Sequence, residues 1–286
     1  MINHVTKLGN VSVGGKNPVR IMGILNTSPE SFFKKSIKTT KQQITNTIRQ
    51  MEIDGVDFID VGGMSTAPYL STIVSEKTEL QRILNAIQII QNISNIPISV
   101  DTCRANVAKL ALQNGIEIIN DISGLKYDLK MIDVIRDYSP SLILCAYGKK
   151  PVIGNIISTR NLLQDSLKIA KIAGISSNQI VLDPAIGFFR KSGKGSFFTK
   201  IKSDWLQRDL SIIQNLKLIK QKYPILISVS NKSFIGKLLG KENVSDRLFG
   251  SLAAEVVSVL NGADIIRTHN VAETKDAITI ASRLSK

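Results

Sequence analysis

Short apolar runs alternate along this chain with longer stretches in which apolar residues return about every 3.6 positions. Eight of the short runs predict buried strands, at 20–25, 56–61, 96–100, 116–119, 142–145, 180–182, 225–228 and 265–267. A polar loop and then a helical period follow each of them. After the third strand, Val107, Leu110, Ala111 and Asn114 share a face, and Gly115 suits a helix C-terminus. The spacing predicts one helix over 204–222, with Leu206, Leu210, Ile213 and Leu216 along one side. Another carries Leu248, Leu252, Val256 and Val259. Ahead of the series, residues 5–13 alternate on either side of Gly9-Asn10, which predicts a hairpin. Eight βα units over about 260 residues predict an α/β fold, a (β/α)8 barrel behind a short N-terminal β-hairpin. The rival, a doubly wound open sheet, more often has five or six strands. No linker rich in Pro, Gly or Ser interrupts the series, so residues 1–286 are expected to form a single domain.

Composition narrows this picture. Hydrophobic residues make up 43% of the 286, but aromatic residues only 5%, so the core is expected to be Ile, Leu, Val and Ala, as buried parallel strands prefer. No apolar run approaches the ~20 residues that span a bilayer, and the first residues lack the basic and apolar regions of a signal peptide. Cys103 and Cys145 form neither a disulfide framework nor a Cys-x-x-Cys metal spacing. A cytoplasmic, soluble protein is the expectation. The net charge of +14 raises the question of nucleic acid. The lysines are scattered, however, and no basic–aromatic cluster resembles a nucleic-acid module. Attraction of an anionic small substrate is the preferred reading.

Candidate chemistry sits where the strands stop, since ligands of parallel α/β folds bind at the strands' carboxyl ends. In the segment 225–236 an apolar strand ends in Ser228-Val229-Ser230-Asn231-Lys232-Ser233. The other strands end at Asn26, at Asp60 with Gly62-Gly63, at Asp101, at Asn120-Asp121, at Ala146-Tyr147-Gly148, at Asp183-Pro184 and at Arg267-Thr268-His269-Asn270. Each Asp or Asn alone reads as a turn or cap residue. Gathered around one barrel mouth, they suit a planar, nitrogen-rich heterocycle. A carboxylate accepts two parallel hydrogen bonds from an N–C–N edge. Asn reads a mixed edge and Lys donates to a ring carbonyl or nitrogen. Arg267 and His269 suit a phosphate or diphosphate. With only His4 and His269 in the chain, zinc is disfavoured, whereas a hard divalent ion shared between one protein oxygen and a diphosphate fits.

These residues resemble the dihydropteroate synthase family over about residues 21–280. The resemblance rests on Met22-Gly23-Ile24-Leu25-Asn26-Thr27-Ser28-Pro29-Glu30-Ser31-Phe32, Ile59-Asp60-Val61-Gly62-Gly63-Met64-Ser65-Thr66 and Ile98-Ser99-Val100-Asp101-Thr102. It continues in Ile118-Ile119-Asn120-Asp121-Ile122, Leu182-Asp183-Pro184-Ala185-Ile186-Gly187-Phe188, Lys232-Ser233-Phe234-Ile235-Gly236 and Arg267-Thr268-His269. It implies condensation of 6-hydroxymethyl-7,8-dihydropterin diphosphate with p-aminobenzoate and release of diphosphate. By resemblance, Asp101, Asn120, Asp183 and Lys232 would hold the pterin. Asn26 would ligate Mg²⁺, and Arg267 and His269 would hold the diphosphate. Thr66, Phe188 and Ser233 would lie on the arylamine side. Asp101, Asp183, Lys232 and Arg267 are the expected catalytic set. The resemblance also implies a homodimer formed through helices late in the barrel, the segment 248–260 among them.

The chain departs from the family pattern at particular places. Phe33-Lys34-Lys35 stand where the first loop usually has an acidic residue and glycines. Met64 replaces a Glu, Ala67 an Arg, Asn231 the Arg before the lysine, and Asn270 an Asp. The sixth loop is long and basic, with Arg190, Lys191, Lys194, Lys200 and Lys202. Besides an ordinary synthase, these changes leave open a larger, phosphorylated arylamine acceptor of the kind used for methanopterin-type cofactors. They also leave open a pterin-binding protein without synthase activity. A pterin-binding methyltransferase domain serving a corrinoid protein is the alternative of a different class, and it would not need Arg267 or His269 for a diphosphate.

Overall fold

The computed structural model describes residues 5–30, 37–69 and 73–284. Strands β1 (Thr6–Leu8) and β2 (Val11–Val13) form the expected hairpin, Leu8 opposite Val11. Gly9 turns the chain between them at a φ of +58°, where a side chain would be strained. The barrel strands are β3 (Arg20–Asn26), β4 (Phe58–Gly62), β5 (Ile98–Asp101), β6 (Ile118–Asp121), β7 (Ser141–Cys145) and β8 (Ile180–Asp183). Two short loop strands, β9 (Phe189–Arg190) and β10 (Thr199–Lys200), come before β11 (Leu226–Ile227) and β12 (Ile265–Thr268). The eight barrel strands are parallel, in the order β11-β12-β3-β4-β5-β6-β7-β8. The ring closes where Leu182 bridges Ile225 and its N–H donates to the carbonyl of Pro224 at 3.0 Å. This is the (β/α)8 barrel that the periodicity predicts.

The helices are α1 (Lys41–Ile53), α2 (Glu76–Gln91), α3 (Ala105–Gln113), α4 (Met131–Tyr138), α5 (Ile156–Ile172), α6 (Trp205–Gln214), α7 (Leu216–Lys220), α8 (Ser233–Leu239), α9 (Leu248–Leu260) and α10 (Val271–Leu284). Thr40, Ser75, Asn155 and Asp204 each accept a backbone N–H at a helix start, so polar loops end where the helices need capping.

Strand alternation explains how one chain builds both a core and a site. Ile21, Ile59, Ile119, Leu142, Ile180, Ile225 and Ile266 point outward into the core shared with the helices. Met22, Phe58, Ile118, Ile143, Val181, Leu226 and Ile265 point inward and meet Leu8 and Val13 of the hairpin, which plugs the amino-terminal end. The hairpin is pinned there by the Thr6 hydroxyl, which donates to the Ile180 carbonyl at 3.1 Å. Two residues further along the same strands, the inward positions become Ile24, Asp60, Asn120, Cys145, Asp183, Ser228 and Arg267. The barrel interior is therefore apolar below and polar above.

Three sequence expectations shift. The strands read from 56, 96 and 116 begin two residues later, at Phe58, Ile98 and Ile118. The helix read over 204–222 breaks at Asn215 into α6 and α7, and its buried side includes Arg208, Asp209 and Ile212, with Leu206 and Leu210 only half-buried. Helix α9 is rotated by about a quarter turn: Ser251, Glu255 and Ser258 are buried, while Leu248, Leu252, Val256 and Val259 are half-buried and Phe249 is 77% exposed. No described helix is long and apolar enough to cross a membrane.

Candidate active site

A cleft of about 950 Å³, measured out to its open mouth, lies at the carboxyl ends of the strands. The structure brings to its wall the ten residues given site roles by resemblance: Asn26, Thr66, Asp101, Asn120, Asp183, Phe188, Lys232, Ser233, Arg267 and His269.

Asp60 organises the floor. Its Oδ2 accepts from Arg267 Nε at 2.6 Å and from Asn120 Nδ2 at 3.1 Å. Its Oδ1 is buried with no hydrogen-bond partner among the described residues. Arg267 Nη2 donates to Asp101 Oδ2 at 2.9 Å. Two of the three guanidinium nitrogens are thus engaged, and Nη1 has no protein bond among the described residues. Burial works against the charge of Arg267, but Asp60 and Asp101 outweigh it and hold the guanidinium above its ordinary range. Asp101 is pushed up to about 7 by burial, against the pull of Arg267.

Asp183 is buried, and its Oδ1 accepts the N–H of Ala185 at 2.6 Å. That bond holds Ala185 in a left-handed turn at φ +57°, which starts the loop after β8. Burial raises the Asp183 carboxyl; the Ala185 bond and the charges of Lys232 and Arg267 oppose the rise. Lys232 lies with its ammonium 4.4 Å from the centre of the Phe188 ring, a cation–π contact that orients it. Burial and then Arg267 lower it to about 8. Gly187 permits this placement: at φ +86° it has no Cβ, and one built there would stand 3.0 Å from Lys232 Cδ. His269 shares a hydrogen bond of 3.0 Å between Nδ1 and the Ser230 hydroxyl. Burial, with Arg267 and Lys232 nearby, lowers its imidazole to about 3.

The departures fall unevenly. Met64 and Ala67 border the cleft, but Asn231 and Asn270 do not. Asn231 is buried in a left-handed conformation at φ +59°, its N–H held by Ser251 and its carbonyl by Arg247. Lys191, Lys194, Lys200 and Lys202 are exposed and none borders the cleft. Lys34 and Lys35, with Ser31, Phe32 and Phe33, lie outside the described residues. Asp60 and Arg190 are the residues the sequence reading undervalued. The signal for Asp60 is its parity with Phe58, which turns it into the barrel. Arg190 gives no such local signal.

Among the described residues, no group of three or more His, Cys, Asp or Glu side chains is placed to hold a metal ion. Asn26 faces the cleft beside Gly62, where a Cβ would come within 3.5 Å of its Oδ1. One amide oxygen suits a hard ion that arrives with most of its own oxygen ligands, as an ion bound to a diphosphate does.

A (β/α)8 barrel with paired carboxylates, an amide and a lysine at its mouth has the architecture of a pterin-binding enzyme, and residues 22–269 match the family described as pterin binding enzyme. A relative from Clostridium beijerinckii, named dihydropteroate synthase, is 35% identical over 95% of this chain and 96% of its own length. The solved dihydropteroate synthase of Coxiella burnetii, in complex with pteroic acid, has a TM-score of 0.83 at 30% identity, covering 99% of this chain and 98% of that one. That of Xanthomonas albilineans, with 4-aminobenzoic acid, has a TM-score of 0.82 at 27% identity over 99% of this chain and 98% of that one. The chain belongs to the dihydropteroate synthase family.

Proposed function

We propose that this cleft condenses 6-hydroxymethyl-7,8-dihydropterin diphosphate with p-aminobenzoate, releasing diphosphate and forming dihydropteroate in folate biosynthesis. The observation that carries the proposal is the convergence of Asp101, Asn120, Asp183 and Lys232 with Arg267 and His269 on one wall. The bound molecules of the two solved relatives, pteroic acid and 4-aminobenzoic acid, support it. Names of relatives favour the synthase over a corrinoid-dependent methyltransferase, as does the placement of Arg267 and His269 at the cleft. The phosphorylated acceptor loses one support, because the exposed sixth-loop lysines do not reach the cleft wall.

Asp183 accepts the two N–H groups of the pterin N–C–N edge, one on Oδ2 and one on the lone pair of Oδ1 that the Ala185 N–H leaves free. Asn120 reads the neighbouring edge, and Lys232 donates to the ring. Departure of diphosphate leaves positive charge at the pterin methylene, delocalised into the ring. Asp60, Asp101 and Asp183 form a fixed field that favours that charge. Arg267, through Nη1, and His269, on gaining a proton, take the leaving diphosphate. The arylamine nitrogen is already nucleophilic, so the site needs no strong base. A divalent ion, Mg²⁺ by family resemblance, would add charge against the leaving group; Asn26 is the residue that would hold it.

Incubation of purified protein with the pterin diphosphate, p-aminobenzoate and Mg²⁺, reading diphosphate and dihydropteroate together, tests the proposal. Both products should appear, stop on chelation and return with Mg²⁺. Absence of dihydropteroate with every arylamine offered would leave a binding protein instead.

We also infer a homodimer. The outer face of α9 places Phe249, Val257 and Leu260 in one stripe, 77%, 43% and 46% exposed. Helix α10 packs beside it and adds Ile280 and Leu284, 61% and 79% exposed. An apolar stripe on a helix whose buried side is polar, matched to the family's late-helix pairing, suits a second copy of the chain.

A further inference from the structure

The acceptor end of the cleft hides a cation that never reaches its wall. Arg190, on β9, is buried, and its Nη2 donates to the hydroxyl of Ser233 at 2.7 Å. Its Nη1 donates to the Phe189 carbonyl at 2.7 Å and lies 3.5 Å from Asp209 Oδ2. The guanidinium carbon stands 4.2 Å from the centre of the Trp205 ring. Strand β9 is itself fixed by pairing with β10, Lys200 opposite Arg190. The guanidinium is therefore held on several sides and aimed at one hydroxyl.

The charge around it does not balance. Asp209 also takes Arg208, at 2.9 Å, and all three side chains are buried. Two guanidinium groups share the one carboxylate of Asp209, and Lys232, close enough to feel Arg190, is already matched by Asp183, so the pair keeps a positive excess. Buried charge of one sign is costly unless a counter-charge completes it. The missing anion belongs on the cleft side of Ser233. A serine hydroxyl has one proton to give, and Arg190 occupies one of its oxygen lone pairs. The proton is left to point into the cleft, and the guanidinium behind it polarises the O–H into a stronger donor.

We propose that Arg190 is a positioning residue for the acceptor's carboxylate: acting through Ser233, it turns that hydroxyl into a committed donor and supplies the counter-charge that selects an anionic arylamine. The inference rests on the synthase reading, with p-aminobenzoate as acceptor.

The test pairs two acceptors with four variants. For the wild type, kcat and KM are measured with p-aminobenzoate and with its neutral analogue 4-aminobenzamide at saturating pterin diphosphate. Arg190→Met should raise the KM for p-aminobenzoate roughly tenfold, leave the KM for pterin diphosphate within about twofold, and leave the amide acceptor nearly unchanged. Arg190→Lys should recover part of the loss. In Ser233→Ala, adding Arg190→Met should cost little more, because the relay is already broken. Equal losses with both acceptors, or a raised pterin KM, would show that Arg190 only supports the fold and would overturn the inference, as would an unchanged KM for p-aminobenzoate. If the wild type makes no dihydropteroate at all, it is the synthase reading that fails, so the two failures are distinguishable.

Discussion

Replacing Asp183 by asparagine tests the pterin assignment at its most exacting point. The change keeps shape and removes one acceptor. Oδ1 accepts from Ala185 N–H at 2.6 Å and holds the left-handed turn at that residue, so the amide oxygen must stay there. Its NH₂ then faces one of the two N–H groups of the pterin edge, donor against donor. Rotating the amide moves the conflict to Ala185. At least one hydrogen bond to a charged carboxylate is lost, roughly 1.5–3 kcal/mol, which is about ten- to 150-fold in pterin affinity. Calorimetric titration with a non-reacting pterin reads this directly, and kcat/KM for pterin diphosphate should fall in parallel. KM for p-aminobenzoate at saturating pterin should move little. A second consequence is electrostatic. Asp183 raises the Lys232 ammonium against the lowering by burial and Arg267, so in Asp183→Asn the lysine should lose its proton at lower pH than in the wild type. A folded variant with pterin affinity within about twofold of the wild type would refute the assignment.

Three further outcomes follow from the same geometry. Lys232 donates to the ring most strongly as the ammonium, and burial with Arg267 puts it at about 8, so kcat/KM should fall as pH rises from 7 to 9; Lys232→Arg, which keeps its charge, should lose that basic limb. An unchanged limb in Lys232→Arg would assign the titration to another group. Gly187→Ala should cost on the order of 1 kcal/mol of stability in denaturant titration, from its φ of +86°. It should also raise the KM for pterin diphosphate, because the new methyl would displace Lys232. Phe249→Glu should convert a dimer to a monomer in sedimentation equilibrium, and a wild type that is monomeric at micromolar concentration would end that reading.

The strand run was legible because parallel strands covered on both faces read as continuous Ile, Leu and Val. Those same residues hid the starts of three strands, since Val56, Ile96 and Ile116 are apolar for packing reasons before the ladder begins. The polar strand ends were legible too, because nothing in a packed core explains an Asp at position 60, 101 and 183 after such runs. What each would bond was not. Asp60 reaches Arg267 across 207 positions of sequence, and only the pairing of β12 with β3, which pairs in turn with β4, brings them together.

Arg190 and α9 show the limit most clearly. In the sequence, Arg190 is one of several basic residues in a long loop. In the structure it is buried behind Ser233, while Lys191, Lys194, Lys200 and Lys202 remain exposed. Helix α9 is apolar on most sides, so periodicity could not say which face meets the barrel, and the buried side proved to be Ser251, Glu255 and Ser258. The sequence by itself determined the alternation, because hydrophobic period is a local property of the chain. It also determined which residue types end each strand, and hence the class of ligand. Tertiary structure decided which charges meet, which hydroxyl has a guanidinium behind it and which helix face is left bare. Those depend on distances between elements far apart in sequence, which no local pattern encodes.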